Sequence, residues 1–127
     1  MNGLTYKSYK AINDTTSGII EASSARIECK LGEILHERGI NQTDLSILTG
    51  IRYSSINDLL HNRRHSINKN HLLAIMLTLK LTSIEDMYEV VFDDETEKEK
   101  LQDERIDAEA LGLMPEQREM IEESKKD

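Results

Sequence analysis

Apolar residues recur at helical spacing through the middle of the chain and thin out toward both ends. Ile27, Leu31, Ile34 and Leu35 follow the i, i+4, i+7, i+8 spacing of one helical face, and Gly39 supplies a C-terminal stop. Asn41 is placed to cap a second helix, with Leu45 and Leu48 inward and an end near Gly50. A third helix is predicted from about Arg52 to His61, turning Ile56, Leu59 and Leu60 inward; Asn62 follows, a residue that tolerates left-handed backbone. Asn68 caps a fourth, with a stripe of Leu72, Leu73, Ile75, Met76 and Leu79. Thr82-Ser-Ile-Glu85 reads as a capping box before a fifth, carrying Met87, Val90 and Val91. No alternating run of comparable length competes, so the expected class is all-α.

The ends differ from this middle. Residues 1–26 are rich in Ser, Thr and Asn, with scattered Ile12, Ile19 and Ile20, and read as a weakly structured arm with room for a short strand or helix. Residues 27–92 make the helical domain. Residues 93–127 make an acidic helical extension in which Pro115 suits the first turn of a last helix.

The stretch from Gln42 to Leu59 meets the steric demands of two helices crossing steeply over a tight turn. Leu45 is the inward residue of the first helix, and Ser46 is small where the second helix must pass close. Gly50 tolerates positive φ at the turn, Ile51 plugs the space behind it, and Ile56 and Leu59 anchor the second helix. These are the offsets of a helix-turn-helix.

With Ile40-Asn41-Gln42 before that motif, Asn62-Arg63-Arg64 after it and a closing Thr82 to Met87, residues 27–91 resemble the Cro/repressor (XRE) helix-turn-helix family. The resemblance implies a five-helix, lambda-repressor-like domain: a transcriptional regulator, commonly dimeric, with its third helix in the major groove of DNA. Three positions depart from the family pattern: Arg52 for a small cap, Ser46 for Ala and Asn62 for Gly. Arg52 leaves the helix start without a side-chain acceptor and adds a cation at the groove.

By that resemblance, the base-reading residues are the outward ones of the third helix: Arg52, Tyr53, Ser54, Asn57 and Asp58. Arg suits guanine O6/N7 and Asn suits adenine N6/N7, each pair worth about 1–3 kcal/mol of discrimination. Asp58 either accepts from cytosine N4 or repels the backbone. Phosphate contacts fall to the edges: Gln42 at a helix N-terminus, with Asn41, Thr43, His61, Asn62, Arg63, Arg64, His65 and Lys69.

Charge at first argues against a polyanion partner, because the net is −8 over 127 residues. Its distribution reverses that. Residues 93–127 hold 14 acidic and 6 basic residues, so residues 1–92 balance to zero, and from Arg38 to Lys80 six bases face two acids. One cysteine, Cys29, excludes an internal disulfide framework and reads as a buried small hydrophobe. His61 and His65 have i, i+4 spacing, but Asn62 interrupts the helix and no third ligand sits at metal-binding spacing. No metal, cofactor or enzymatic chemistry is expected. The absence of a long apolar run and of a leader-like N-terminus points to a bacterial cytoplasm or a phage-infected cell.

The expected partner is therefore double-stranded DNA, bound by a homodimer that acts as a repressor of phage or prophage type. A protein or peptide regulator is a further expected partner. The extension leaves three readings open. It is a solvated helical tail, a surface where Leu111, Leu113, Met114, Met120 and Ile121 meet another subunit or partner, or an acidic surface that mimics nucleic acid or masks the basic face. The competing function is a protein-interaction module, an antitoxin or anti-repressor, that keeps the fold and binds protein through its appendages.

Overall fold

The computed structural model describes residues 6–63 and 66–126, with side chains from residue 14 onward. The elements run α1 (Tyr6–Glu21), β1 (Ala25–Cys29), α2 (Leu31–Arg38), α3 (Gln42–Thr49), α4 (Tyr53–Leu60), α5 (Lys69–Thr78), a 3-10 turn (Ile84–Asp86), β2 (Tyr88–Phe92), α6 (Glu95–Leu111) and α7 (Pro115–Ser124). The fold is helical, as the apolar periodicity predicts, with one small sheet added. Two compact units emerge: Arg26–Val91, and the two chain ends up to Ala25 and from Phe92.

In the central unit the helices start and stop where local chemistry dictates. Asn41 accepts from the Asp44 N–H at 2.8 Å while the Asp44 carboxylate accepts from the Asn41 N–H at 3.0 Å, a reciprocal cap that starts α3. Asn68 accepts from Asn70 and His71 and starts α5. Left-handed residues end all four helices, Gly50 (φ 75°) closing α3 and three others following one pattern. Gly39 (φ 68°) closes α2, Asn62 (φ 51°) closes α4 and Lys80 (φ 62°) closes α5. After each, the next N–H reaches back to a helix carbonyl: Ile40 to Leu35, Arg63 to Asp58 and Leu81 to Met76. The bend at Asn62 follows from the sequence; the one at Lys80 does not, because lysine has no special tolerance there.

The core is Leu31, Leu35, Leu45, Ile51, Ile56, Ile75, Met76, Leu79 and Met87. Each buried Leu, Ile or Met contributes about 1.5–3 kcal/mol from apolar transfer. Two residues expected inward are turned out: Leu48 on α3 and Leu73 on α5 are 61% and 55% exposed. On helices of eight and ten residues the buried stripe is one residue wide per turn, and Leu45 and the pair Ile75–Met76 already fill it.

The sheet corrects two expectations. The fifth helix does not form: Ser83 caps only a 3-10 turn, with Asp86 rather than Glu85 returning the reciprocal bond, and the chain then extends into β2. The first helix begins at Leu31, not Ile27, because residues 25–29 form β1. Bonds from the Lys30 N–H to the Met87 carbonyl (2.7 Å) and from the Asp93 N–H to the Ser24 carbonyl (3.4 Å) bracket the ladder. The strands are therefore antiparallel with Ile27 opposite Val90. Val90-Val91-Phe92 is a β-branched and aromatic run, which favours extended backbone over a short helix, and the ladder pairs Val91 with Arg26.

In the terminal unit, α1 occupies most of the arm expected to be weakly structured. The Ser24 N–H and hydroxyl both donate to one Glu97 carboxylate oxygen, at 2.9 and 2.6 Å, and the Asp94 N–H donates to the Ser24 hydroxyl at 3.0 Å. Asp94 caps α6 through Thr96. Neither α6 nor α7 holds a buried residue. Among the described residues, no helix is long and apolar enough to cross a membrane.

Candidate nucleic-acid interface

The interface is built on the turn between α3 and α4. Gly50 adopts φ 75°, and its N–H donates to the Ser46 carbonyl at 2.8 Å. The Ser46 hydroxyl then donates to the Ile51 carbonyl at 2.6 Å. Thr49 Oγ1 donates to the Leu45 carbonyl and accepts the Ile51 N–H. Ser46 thus does more than stay small: its hydroxyl bonds across the bend. Ile51 and Ile56 are buried behind the turn, which fixes the outward side of α4.

That side starts at Arg52. Its backbone carbonyl accepts from Ser55 and Ile56, its side chain makes no cap hydrogen bond, and it is exposed. Tyr53 is 51% exposed and Ser54 is exposed, and with Asn57 and His61 they fall at spacings of three, four, seven and eight residues. Four of the five expected base-reading residues, Arg52, Tyr53, Ser54 and Asn57, therefore share a face with His61. Asp58 lies four residues after Ser54 and three before His61; like Asn57 it is half-buried, and it also lines a cavity of about 380 Å³ with Ser55, Asn62, His71 and Tyr88.

The phosphate candidates divide in the same way. Asn41, Gln42 and His61 line a shallow depression of about 420 Å³ together with His36. His36 was missed because it lies at the end of α2, outside the motif; its place in the last turn before Gly39 is the signal that marks it. Asn41 is committed to the cap, and the side-chain N–H₂ of Asn62 donates to the Ile27 carbonyl at 3.3 Å, so both serve structure. Gln42 is half-buried with its Oε1 lacking a partner among the described residues. Thr43, Arg63 and Lys69 are exposed. Arg64 and His65 lie outside the described residues.

His61 has a defined tautomer. Its Nδ1 lies 2.8 Å from the Asn57 carbonyl, which only accepts, so Nδ1 carries the proton and Nε2 is the remaining end. Cys29 is half-buried and bonded to Tyr88. Burial pushes its thiol pKa up, partly offset by hydrogen bonds with the Leu31 backbone and Tyr88. Burial raises the Tyr88 phenol as well, with the neighbouring Cys29 adding to the shift. A thiol held protonated in this way is a poor nucleophile. Among the described residues no three His, Cys, Asp or Glu side chains gather as a metal would require.

The model of the Cro/C1-type HTH DNA-binding domain matches residues 30–93, from the start of α2 through β2. The chain belongs to that family. No curated protein and no solved structure matches it. The family match spans half of the chain and contains the whole α3–turn–α4 motif, which makes this Cro/C1-type protein a DNA-binding regulator.

Proposed function

We propose that the chain is a sequence-specific repressor of phage or prophage type, acting in the cytoplasm as a two-fold dimer on an inverted-repeat site. The observation that carries this reading is the outward face of α4, where Arg52, Tyr53, Ser54 and Asn57 surround a helix start with free donors and no acidic side chain in its first turn. Base edges are read by that face. Gln42, Thr43, His61, Arg63, Arg64 and Lys69 hold the phosphates, with His36 added beside His61. A single small domain seldom reaches specific affinity alone, so two copies on half-sites about one DNA turn apart are the physical requirement.

Selection of bound fragments from a random duplex library tests this reading: an enriched inverted repeat supports it, and recovery of no preferred sequence overturns it. Affinity should fall steeply with salt. Replacing Arg63 and Arg64 together by Ala should weaken all sequences alike and reduce the slope of log affinity against log salt by about 2 per half-site, about 4 for the dimer on its full site. Arg52→Ala or Asn57→Ala should instead relax preference at particular base pairs by about 1–3 kcal/mol.

A second reading concerns the terminal unit. α6 and α7 expose Leu101, Ile106, Leu111, Met120 and Ile121 along acidic helices, which favours a protein or peptide partner for the extension. As an antitoxin or anti-repressor, the chain would act through that surface. Co-purification that persists after the Arg52 and Arg63 substitutions supports this second role.

A further inference from the structure

His61 combines a fixed tautomer with a place beside a helix start, and the two together restrict what it can bind. Its ring is tied to α4 through Nδ1, 2.8 Å from the Asn57 carbonyl four residues back. A carbonyl only accepts, so Nδ1 must donate, and a neutral imidazole carries a single N–H. The neutral ring therefore leaves an unprotonated Nε2, which is an acceptor. Phosphate oxygens are acceptors too. Neutral His61 has nothing to offer a phosphate, whereas the imidazolium donates from both nitrogens and makes a charge-assisted bond.

The surroundings of the ring contain no built-in partner for that charge. His61 is exposed and lines the shallow depression with His36 of α2 and with Asn41 and Gln42 at the start of α3. Among the described residues, Glu33, Glu37 and Arg38 of α2 do not line it, and the Asp44 carboxylate of α3 is held in the cap by the Asn41 N–H. On its own segment, Asp58 lines the other cavity and Arg63 lies two residues on. Strand β1 bonds to the adjoining Asn62, and its Arg26 and Glu28 pair with each other at 2.9 Å. The depression is thus lined, among the described residues, by two imidazoles and no carboxylate. Two imidazoliums there repel unless an anion comes between them. We propose that DNA binding by this chain is proton-linked at His61: Nε2 takes a proton from solvent and donates a hydrogen bond to a phosphate oxygen, while Nδ1–H stays on the Asn57 carbonyl and His36 shares the same anion. The proposal deepens the reading of His61 as a phosphate contact and rests on it.

The test is binding of the full chain to a selected duplex and to a random-sequence duplex, at fixed ionic strength, from about pH 8 to about pH 6, the range in which imidazole titrates. The parent should bind about fivefold or more tightly per half-site at the acid end. His61→Gln should remove most of that rise, and His61→Lys, a cation throughout, should bind at the alkaline end about as tightly as the parent does at the acid end. Imidazole nitrogen NMR of the parent gives a second readout. Near neutral pH the free chain should carry the His61 proton on Nδ1, and added duplex should shift the ring to the doubly protonated form. A free ring protonated on Nε2 instead, or a pH rise that survives intact in His61→Gln, overturns the proposal. Affinity that falls on acidification also overturns it, and makes Nε2 an acceptor from a base amino group. A flat profile with binding intact removes the proton link and leaves the DNA reading standing; no binding to either duplex at any pH removes that reading itself. If His61→Gln unfolds, the NMR of the parent decides alone.

Discussion

The central unit and the C-terminal extension are both helical, yet they are held together by different physics. Residues 26–91 bury nine large apolar side chains behind short helices. The seventeen residues of α6 bury none and rely on Asp94 as cap and on exposed ion pairs such as Arg105–Glu109 at 2.8 Å and Lys100–Glu104 at 3.9 Å. Pairs of that kind contribute only about 0.3–0.5 kcal/mol each. Helix α4 has half the length of α6 but is fixed by Ile56, which is 0% exposed. A recognition surface needs a side chain to return to the same place each time. Packing provides that; local propensity alone does not.

The comparison breaks most directly at the core. Ile56→Ala should destabilise the central unit by about 2–5 kcal/mol and abolish DNA binding, read by chemical denaturation and by titration with a selected duplex. Gly50→Val comes next. The site has open space for the added atoms but a φ of +75°, so the loss is backbone strain of about 1–2 kcal/mol, and a thermal scan should show it. Lys80→Gly should act in the opposite direction, raising stability by up to about 1 kcal/mol by relieving left-handed strain at the end of α5.

Alkaline titration sharpens the comparison further. Because the Cys29 thiol pKa is raised in the folded state, its contribution is complete below the ordinary thiol value of 9.0 and is lost as pH rises through the folded value. The parent should therefore lose stability above that pH, and Cys29→Ala should flatten the loss. The smallest effect belongs to the extension. Arg105→Ala should change the unfolding midpoint by no more than the equivalent of about 0.5 kcal/mol, since both partners are largely solvated. A larger effect would show that α6 is packed against something.

Much of the site was legible before the fold was known. The small residue at 46, the bend at Gly50 and the plug at Ile51 are requirements on neighbours within a few positions, and sequence spacing records them directly. The cavity beside Asp58 was not legible, because His71 and Tyr88 reach it only through the tertiary fold. His36 was missed for a related reason: it meets Asn41, Gln42 and His61 only after α2 has folded back beside them.

By itself, then, the amino-acid order determined the helix starts at Asn41, Asn68 and Pro115, the left-handed bend at Asn62, the apolar stripes and the separation of a neutral middle from an acidic end. Each of these depends on groups a few residues apart, where the interacting partners are fixed by chain connectivity. Tertiary structure decided that Ile27 and Val90 sit in strands, that Leu48 and Leu73 face outward and that Lys80 takes a strained bend. In those cases the deciding partner lies far along the chain or across the core. The hydrogen bonds and buried area it supplies outweigh local preferences that amount to a fraction of a kcal/mol per residue.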